Sequence, residues 1–368
     1  MKFRHSAILI LILLAAQGIC AANPVDSAEF SRLPWVRQLI AANFDVNHPG
    51  INYPKFARFC VNVYNWGDKT FNDYDSTYVV GTGKKWKAMA RSYNWITGNE
   101  MFFSSKNYLR IRSNLYSDLG AHISFMAVST GYTWDANAIF GGETSLRRSF
   151  NFNFVCGLFS AGINYSKANG GTKITHFGDY RPGDGSSLDY KFNDISQETL
   201  SANIYYFFNH RKYSQSAAYN FSRYQLKSAG TWMIGFSYDR QKIGIDFSGL
   251  PSQMLEYLPK LETDYHFFYR DYDVLAGYGY NWVLKPRTWL INATVLPSIG
   301  YKHSYEGTTD GKKDMFSANI RVNGSVVYNH RSLFAAIIGN FEGHSYFARG
   351  FTFFNSIPSV SFITGVRF

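Results

Sequence analysis

The residues that could do chemistry are few and poorly grouped. Past the first 22 positions the histidines are His48, His122, His176, His210, His266, His303, His330 and His344. A hydroxyl or thiol nucleophile needs a base within hydrogen-bond reach. No Gly-x-Ser-x-Gly element offers such a nucleophile. No two histidines stand at metal-ligand spacing, and no Cys-x-x-Cys occurs. His210 and His330 sit in Asn-His-Arg triplets, where a turn role is the simpler reading. Glu342 and His344 are two apart, so they share one side of a strand. A hydrogen-bonded interior pair suits them better than catalysis. The expectation is therefore no enzyme, no metal and no cofactor.

Gly81-Thr82-Gly83-Lys84-Lys85-Trp86 looks superficially like a phosphate loop. The true spacing, G-x-x-x-x-G-K-[ST], is absent. The alternative reading is an inward-folding plug whose lysines meet interior carboxylates, set against a plain strand and turn. The other charges that could do work are Asp246, Asp271, Asp273, Lys302, Arg321, Glu342 and His344. They are isolated within apolar alternation, and the elements that carry them decide their meaning.

Those elements alternate with period two. Trp289, Ile291, Ala293, Val295, Pro297, Ile299 and Tyr301 form one face; Asn292, Thr294, Ser298 and Lys302 fall on the other. Thirteen residues at ~3.3 Å rise, tilted by ~40°, cover roughly 30 Å of height. Phe316, Ala318, Ile320, Val322, Val326 and Tyr328 repeat the pattern against Ser317, Asn319, Arg321, Asn323 and Ser325. An arginine facing the middle of a hydrocarbon layer costs about 2–4 kcal/mol. Arg321 therefore marks the polar face as the inner one, and Asp271 and Asp273 share that face on the preceding strand. Soluble sandwiches also alternate, but their strands are shorter.

Composition agrees. Aromatics make up 18% of the 368 residues, while mean hydropathy is only −0.22. After Ala22 no apolar run is long enough for a spanning helix. The first 22 residues carry Lys2 and Arg4, an apolar run from Ala7 to Ala16, and small residues at Cys20-Ala21-Ala22. This is the pattern of a secretory signal peptide. Its removal takes the net charge from +11 to 11 − 2 = +9. Exported chains rarely meet nucleic acid, so anionic lipid headgroups or sugars are the expected counterpart. Cys60 and Cys156 could form one bridge or remain two thiols.

The expected fold is all-β: an antiparallel up-and-down transmembrane barrel of about 12 strands, or up to 14. Residues 23–107 are read as an N-terminal extension, a periplasmic segment or plug, with a helix over Ala28 to Phe44, and residues 108–368 as the barrel. Upstream strands are expected at Tyr108–Tyr116, Ala121–Trp134, Ser149–Tyr165, Thr172–Phe177, Leu200–Phe208, Ala217–Leu226 and Thr231–Phe247. The apolar phase flips near Cys156-Gly157, which demands a bulge or a turn. Gly249 to Thr263 carries Leu255, Leu258 and Leu261, as a short helix on the rim or in the mouth would.

The last strand ends on Phe368, with Val360, Phe362, Thr364 and Val366 on its face. A terminal aromatic on an alternating strand looks like the address read by the outer-membrane barrel-assembly machinery. Gram-negative outer membrane is the location this implies.

Several stretches carry a resemblance. They are Phe71 to Asp75, Tyr78 to Lys87, Phe125 to Tyr132, Tyr206 to Ser214 and Gln225 to Gly230. In this order they resemble the family catalogued as domain of unknown function 4421, over roughly Val61 to Phe368. The resemblance implies an outer-membrane barrel and assigns no activity. Three functions compete on these grounds: a passive pore for small solutes, a closed structural or partner-binding barrel, and an outer-membrane lipid hydrolase.

Overall fold

In a computed structural model, the structure describes residues 27–42, 45–84, 86–125, 128–136, 147–183, 186–258, 260–306, 313–348 and 350–368. The expected leader lies outside the described residues. Two compact units divide the chain, one up to Lys69 and one from Thr70 to Arg367.

The first unit is helical. Helix α1 spans Ser27–Arg32, α2 spans Trp35–Ala41 and α3 spans Lys55–Phe71. The single helix expected over Ala28 to Phe44 is thus two. Pro34 precedes α2 as its N-cap; it fixes its own φ and biases Leu33 away from helical geometry. Helix α3 was not anticipated. Its apolar residues recur at three- and four-residue spacing, a pattern that a search for period two passes over.

Among the described residues the second unit is a 16-stranded antiparallel sheet and, apart from it, a two-stranded one made of its first and twelfth strands. Its strands are β1 (Val79–Gly81), β2 (Trp86–Trp95), β3 (Gly98–Phe102), β4 (Tyr108–Ser113), β5 (Tyr116–Phe125), β6 (Val128–Asp135), β7 (Arg147–Val155), β8 (Phe159–Asn169) and β9 (Thr172–Phe177). Then come β10 (Tyr190–Phe192), β11 (Ile195–Phe207), β12 (Arg223–Gln225), β13 (Ala229–Asp246), β14 (Asp264–Lys285), β15 (Trp289–Glu306), β16 (Asp314–His330), β17 (Leu333–Phe347) and β18 (Thr352–Arg367). From β13 to β18 each strand pairs with the next. Strand β18 then pairs with β2, placing Arg367 opposite Lys87, and this closes the barrel. The closing path runs β2-β5-β6-β7-β8-β11 and on through β13 to β18. Neighbouring strands are hydrogen-bonded at every step of it, the shortest step being β6 to β7, which share two register pairs, Val128–Phe154 and Ser129–Asn153.

The wall is built differently at its two ends. Short turns at 286–288, 331–332 and 156–158 share one end, here called the turn end, with Trp86 and Arg367. Longer connections crowd the other, the loop end. There β3, β4, β9 and β10 take over the wall. Strand β8 yields to β9 at Gly170 and Gly171, both at positive φ (65° and 68°), which glycine accepts without strain.

Several expected boundaries change. The barrel sheet begins at Trp86, upstream of the expected Tyr108, because β2 carries closure on β18. Ala121–Trp134 is two strands, β5 and β6. The phase flip at Cys156-Gly157 is the turn between β7 and β8. Ala217–Leu226 is no spanning strand. It is a π-turn, Ser216–Asn220, followed by the short β12, which pairs with β1. Its apolar residues Ala217, Ala218 and Phe221 are buried against Leu290, Val327 and Phe334.

The alternation holds through the later strands. On β15, Trp289, Val295, Ile299 and Tyr301 are exposed, while Leu290, Asn292, Thr294, Leu296, Ser298 and Lys302 are buried. Tyr238, Tyr272, Tyr301 and Phe316 lie in one cross-strand row near the loop end. Trp289 and Tyr328 meet at 4.8 Å near the turn end. An apolar band between two aromatic girdles is the exterior of a transmembrane barrel. No helix among the described residues is long and apolar enough to cross a membrane.

Both cysteines among the described residues are free thiols, Cys60 exposed and Cys156 buried. The Cys156 thiol donates to the Phe159 carbonyl at 3.2 Å, and burial pushes its pKa up. The thiolate is the reactive form. In the folded protein a maleimide at pH 7.5 should therefore modify Cys60 and spare Cys156. Two labels on the native protein, counted by intact mass, would contradict this.

Candidate functional site: the barrel interior

The inward face sorts into three layers along the barrel. Nearest the loop end is an apolar layer. Met101, Leu109, Ile111, Ile243, Ile245, Tyr265, Phe267, Tyr269, Tyr346 and Phe353 point in from the wall and pack together. Phe267 stacks on Phe353 at 4.5 Å and meets Tyr346 edge-on at 5.2 Å. The loop after β13 joins them. Its short helix α4 (Ser252–Leu255) buries Met254, and Leu250 and Leu258 follow it inward. Leu255 and Leu261 pack against the same layer. The loop helix expected here thus lies in the mouth.

The middle layer holds the charges. Lys302 is fully buried and meets Asp271 at 2.5 and 2.6 Å. Its ammonium also lies 3.8 Å over the Tyr269 ring. Asn319 donates to Asp273 at 2.6 Å and to Asp271 at 3.2 Å, and Ser298 donates to Asp273 at 3.1 Å. Across the lumen Arg321 donates to both oxygens of Asp239, at 3.0 and 3.1 Å, and to Ser201 at 2.8 Å. Glu342 lies 3.8 Å from Arg321, its register partner. The Arg321 contacts to Ser201 and Asp239 tie β16 to β11 and β13 and so cross-link the barrel, while Lys302–Asp271 and Arg321–Glu342 join neighbouring strands. Side-chain atoms lacking a protein hydrogen bond also gather here, including both ring nitrogens of His344, Arg321 Nη1 and Asp273 Oδ1.

The third layer closes the turn end. The connection between β11 and β13 folds back into the barrel instead of crossing its wall. Tyr213, Ser214, Gln215, Ser216, Ala217 and Ala218 are all buried. Wall asparagines receive this segment. Asn281 donates to the Ser214 carbonyl at 3.1 Å, Asn292 donates to Tyr213 Oη at 3.0 Å, and Tyr219 donates to Asn292 at 2.6 Å. Gly279 makes the room: a Cβ there would stand 3.0 Å from Tyr213 Oη and 2.8 Å from Thr294 Oγ1. Arg367 donates to the Phe221 carbonyl at 2.7 Å and to Asn329 at 2.5 Å. The buried Lys87 donates to the carbonyl and the side chain of Asn220.

The residues singled out from sequence fall into two groups. Asp271, Asp273, Arg321, Glu342 and His344 come together in the middle layer. Gly81 lies in β1 opposite Arg223, Gly83 takes positive φ (75°) in the open, and Lys84 is exposed. Lys85 lies outside the described residues. Trp86 opens β2 opposite Phe125. Among the described residues here it is Lys87 that reaches the interior, and it meets the asparagine Asn220. Asp246 ends β13 near the loops and accepts from Ser248 N at 2.8 Å. Phe368 follows the last residue of β18.

The plug residues between Lys212 and Leu226 were missed. Their signal was present: blocks of the family resemblance flank this segment, and no period-two face runs through it.

Among the described residues no group of three or more His, Cys, Asp or Glu could hold a metal ion. The interior can cross-link and seal; His303 pairs with Tyr301 and Asp314, and His266 with Asp264.

Among solved structures the chain is similar to the outer membrane protease OmpT from Escherichia coli, at 9% identity and a TM-score of 0.34. That match covers 78% of this chain and 98% of that one. It is also similar to the Pseudomonas putida toluene transporter TodX, at 9% identity and a TM-score of 0.26, covering 82% and 75%. A third is the outer-membrane expressed OmpT of Vibrio cholerae, at 6% identity and a TM-score of 0.27, covering 77% and 97%. Likeness at this level carries no argument about activity. No curated protein matches. The pattern of the domain of unknown function DUF4421 matches residues 73–368, so most of the barrel unit and both sealing layers fall within it, and the chain belongs to that family.

Proposed function

We propose that this protein is an integral outer-membrane barrel that is closed at rest and serves as a structural or partner-binding element of that membrane. One observation carries the reading: the interior is packed across its section at both ends, by the apolar layer and by the segment from Tyr213 to Phe221. Interiors at this packing exclude solutes. The same observation speaks against the passive pore expected from sequence. The location is supported by the exterior, an apolar band between aromatic girdles, and by the closure of β18 on β2. Lipid contacts the outward face; the terminal strand with Phe368 is the proposed handle for the assembly machinery. No catalytic role is assigned.

The test is conductance in a planar bilayer of protein shown to be folded by heat-modifiable migration. Silence at moderate voltage is expected. Steady steps that scale with salt would overturn the closed barrel.

A second reading is a gated channel for small solutes. The polar middle layer favours it, because a charged chamber between two separate closures suits a path that opens one end at a time. Conductance appearing only at high voltage or with a bound partner would select it.

A further inference from the structure

The outward wall carries a cationic patch just beyond the aromatic row near the loop end. On β13 and β14, Tyr238 stands opposite Tyr272. Two residues on, roughly 7 Å along the strands, Arg240 stands opposite Arg270. Their chain neighbours Asp239, Gln241, Tyr269 and Asp271 are buried on the inner face, so both arginines face out. Like charges directly opposite each other destabilise a sheet. One step farther, Lys242 stands opposite Glu198 on β11, which stands opposite Lys167 on β8.

The nearby carboxylates are committed elsewhere. Glu198 lies 2.9 Å from Arg240 and 3.7 Å from Lys167. Asp314 is held by His303 at 2.7 Å and Asp264 by His266 at 2.8 Å. Among the described residues no carboxylate lies within ion-pair distance of Arg270 or Lys242. Aromatic faces hold these two instead: Arg270 lies 4.7 Å over the Tyr305 ring, and Lys242 lies 4.7 Å over the Phe268 ring. Arg270 Nε is buried without a hydrogen-bond partner.

Beyond Lys242 the wall is hollow. A space of about 440 Å³ opens between Lys167, Ser196, Glu198, Lys242 and His266. Gly244 is its floor: a Cβ there would stand 3.1 Å from Ser196 Oγ and 3.7 Å from His266 Nδ1. The hollow is lined by hydrogen-bonding groups of both kinds.

We propose that this patch seats one anionic lipid of the leaflet at the loop end, whose headgroup carries a phosphate and hydroxyls. The two opposed guanidinium forks match phosphate oxygens, and an anion between them removes their repulsion. Lys242 adds a third cation, and the hydroxylated part of the headgroup enters the hollow over Gly244. The acyl chains descend along Phe236 and Val274, which are exposed and opposite each other below the tyrosines. The aromatic row sets the height. Aromatics at a bilayer boundary lie at headgroup level, so cations one and two steps farther out meet phosphate and not hydrocarbon. The proposal rests on the barrel spanning a bilayer.

Native mass spectrometry of the folded full-length protein counts what it binds. The probes are phosphatidylglycerol, phosphatidylcholine with the same acyl chains, and glycerol phosphate, which is the headgroup without chains. Phosphatidylglycerol is expected to bind about tenfold tighter than phosphatidylcholine, and Arg240→Gln/Arg270→Gln to lose that preference. Lys242→Gln, at an exposed position, should weaken the binding several-fold by itself. So should Gly244→Leu, which fills the hollow and leaves every charge in place. Equal binding of the two lipids by the parent overturns the proposal, and so does an unchanged preference in the arginine or lysine variants. Glycerol phosphate bound as tightly as phosphatidylglycerol overturns a lipid as the occupant. A nitroxide at Cys60→Ala/Val295→Cys, on the outward face in mid-strand, tests the bilayer separately in phosphatidylcholine vesicles. If collisions with a water-soluble nickel chelate dominate there over oxygen, the spanning barrel has failed; if oxygen dominates while the lipid preference is absent, only the headgroup site has.

Discussion

Lys302→Met is expected to destabilise the barrel by about 3–5 kcal/mol, the cost of leaving a buried charge without its partner. Lys302 and Asp271 are both fully buried, and their strands place them directly opposite. Asp239 faces Asp271 from the other side, across β13 and β14. The layer sets four carboxylates, Asp239, Asp271, Asp273 and Glu342, against two cations, Lys302 and Arg321. Removing one cation leaves like charges opposed, which sheets resist. Asp271→Leu should cost less, because the stranded ammonium keeps the face of Tyr269. The double variant Asp271→Leu/Lys302→Met should return to within about 1–2 kcal/mol of the parent, since an apolar pair of similar volume replaces a buried ion pair at little net cost. Asn319 loses an acceptor at 3.2 Å but keeps Asp273 at 2.6 Å. Urea unfolding in lipid vesicles measures all four corners of the cycle. Single variants within about 0.5 kcal/mol of the parent would show that the buried pair does not hold the layer.

This layer was legible in the sequence in one respect only. Period two put Asp271, Asp273, Lys302, Arg321 and Glu342 on the inner face, because a spanning strand cannot turn charges toward lipid. It said nothing of which charge meets which. Lys302 and Asp271 pair through the register of a hairpin, but Arg321 reaches Asp239 and Ser201 across the lumen, and such distances are set by barrel closure. The exterior of β14 to β18 was legible for the same reason: each strand repeats one rule many times. What broke the rule was lost. Strand β2 mixes Lys87, Arg91 and Asn94 into its run and has no clean face, so the barrel's start was placed at Tyr108. Helix α3 follows period 3.6. The segment Lys212 to Leu226 follows no period, since a chain packed inside a barrel is buried on every side.

That segment sets the second large effect. Arg367→Ala should loosen the plug from the wall. Its guanidinium is buried, donates to the Phe221 carbonyl and to Asn329, and lies 4.4 Å over the Phe334 ring. Each charge-assisted bond contributes about 1.5–3 kcal/mol, and two buried acceptors would be left unpaired. A loss of about 3 kcal/mol in the free energy of local opening raises the open population on the order of 100-fold. Ser216→Cys, in a Cys60→Ala background, reads this directly. Ser216 is buried and its hydroxyl donates to the Val155 carbonyl at a long 3.5 Å, a contact that a thiol can replace with little strain. Maleimide labelling of this thiol should be slow in the otherwise unaltered barrel and about 100-fold faster with Arg367→Ala, at unchanged heat-modifiable migration. Gly279→Val should do the same from the opposite wall, because its side chain would occupy the place of Tyr213. Equal rates in all three proteins would mean that the plug is held by the wall asparagines alone. A rate that rises with Arg367→Ala while the bilayer stays silent would assign the remaining seal to the apolar layer at the loop end, where Phe267, Tyr346 and Phe353 close the section independently of the plug.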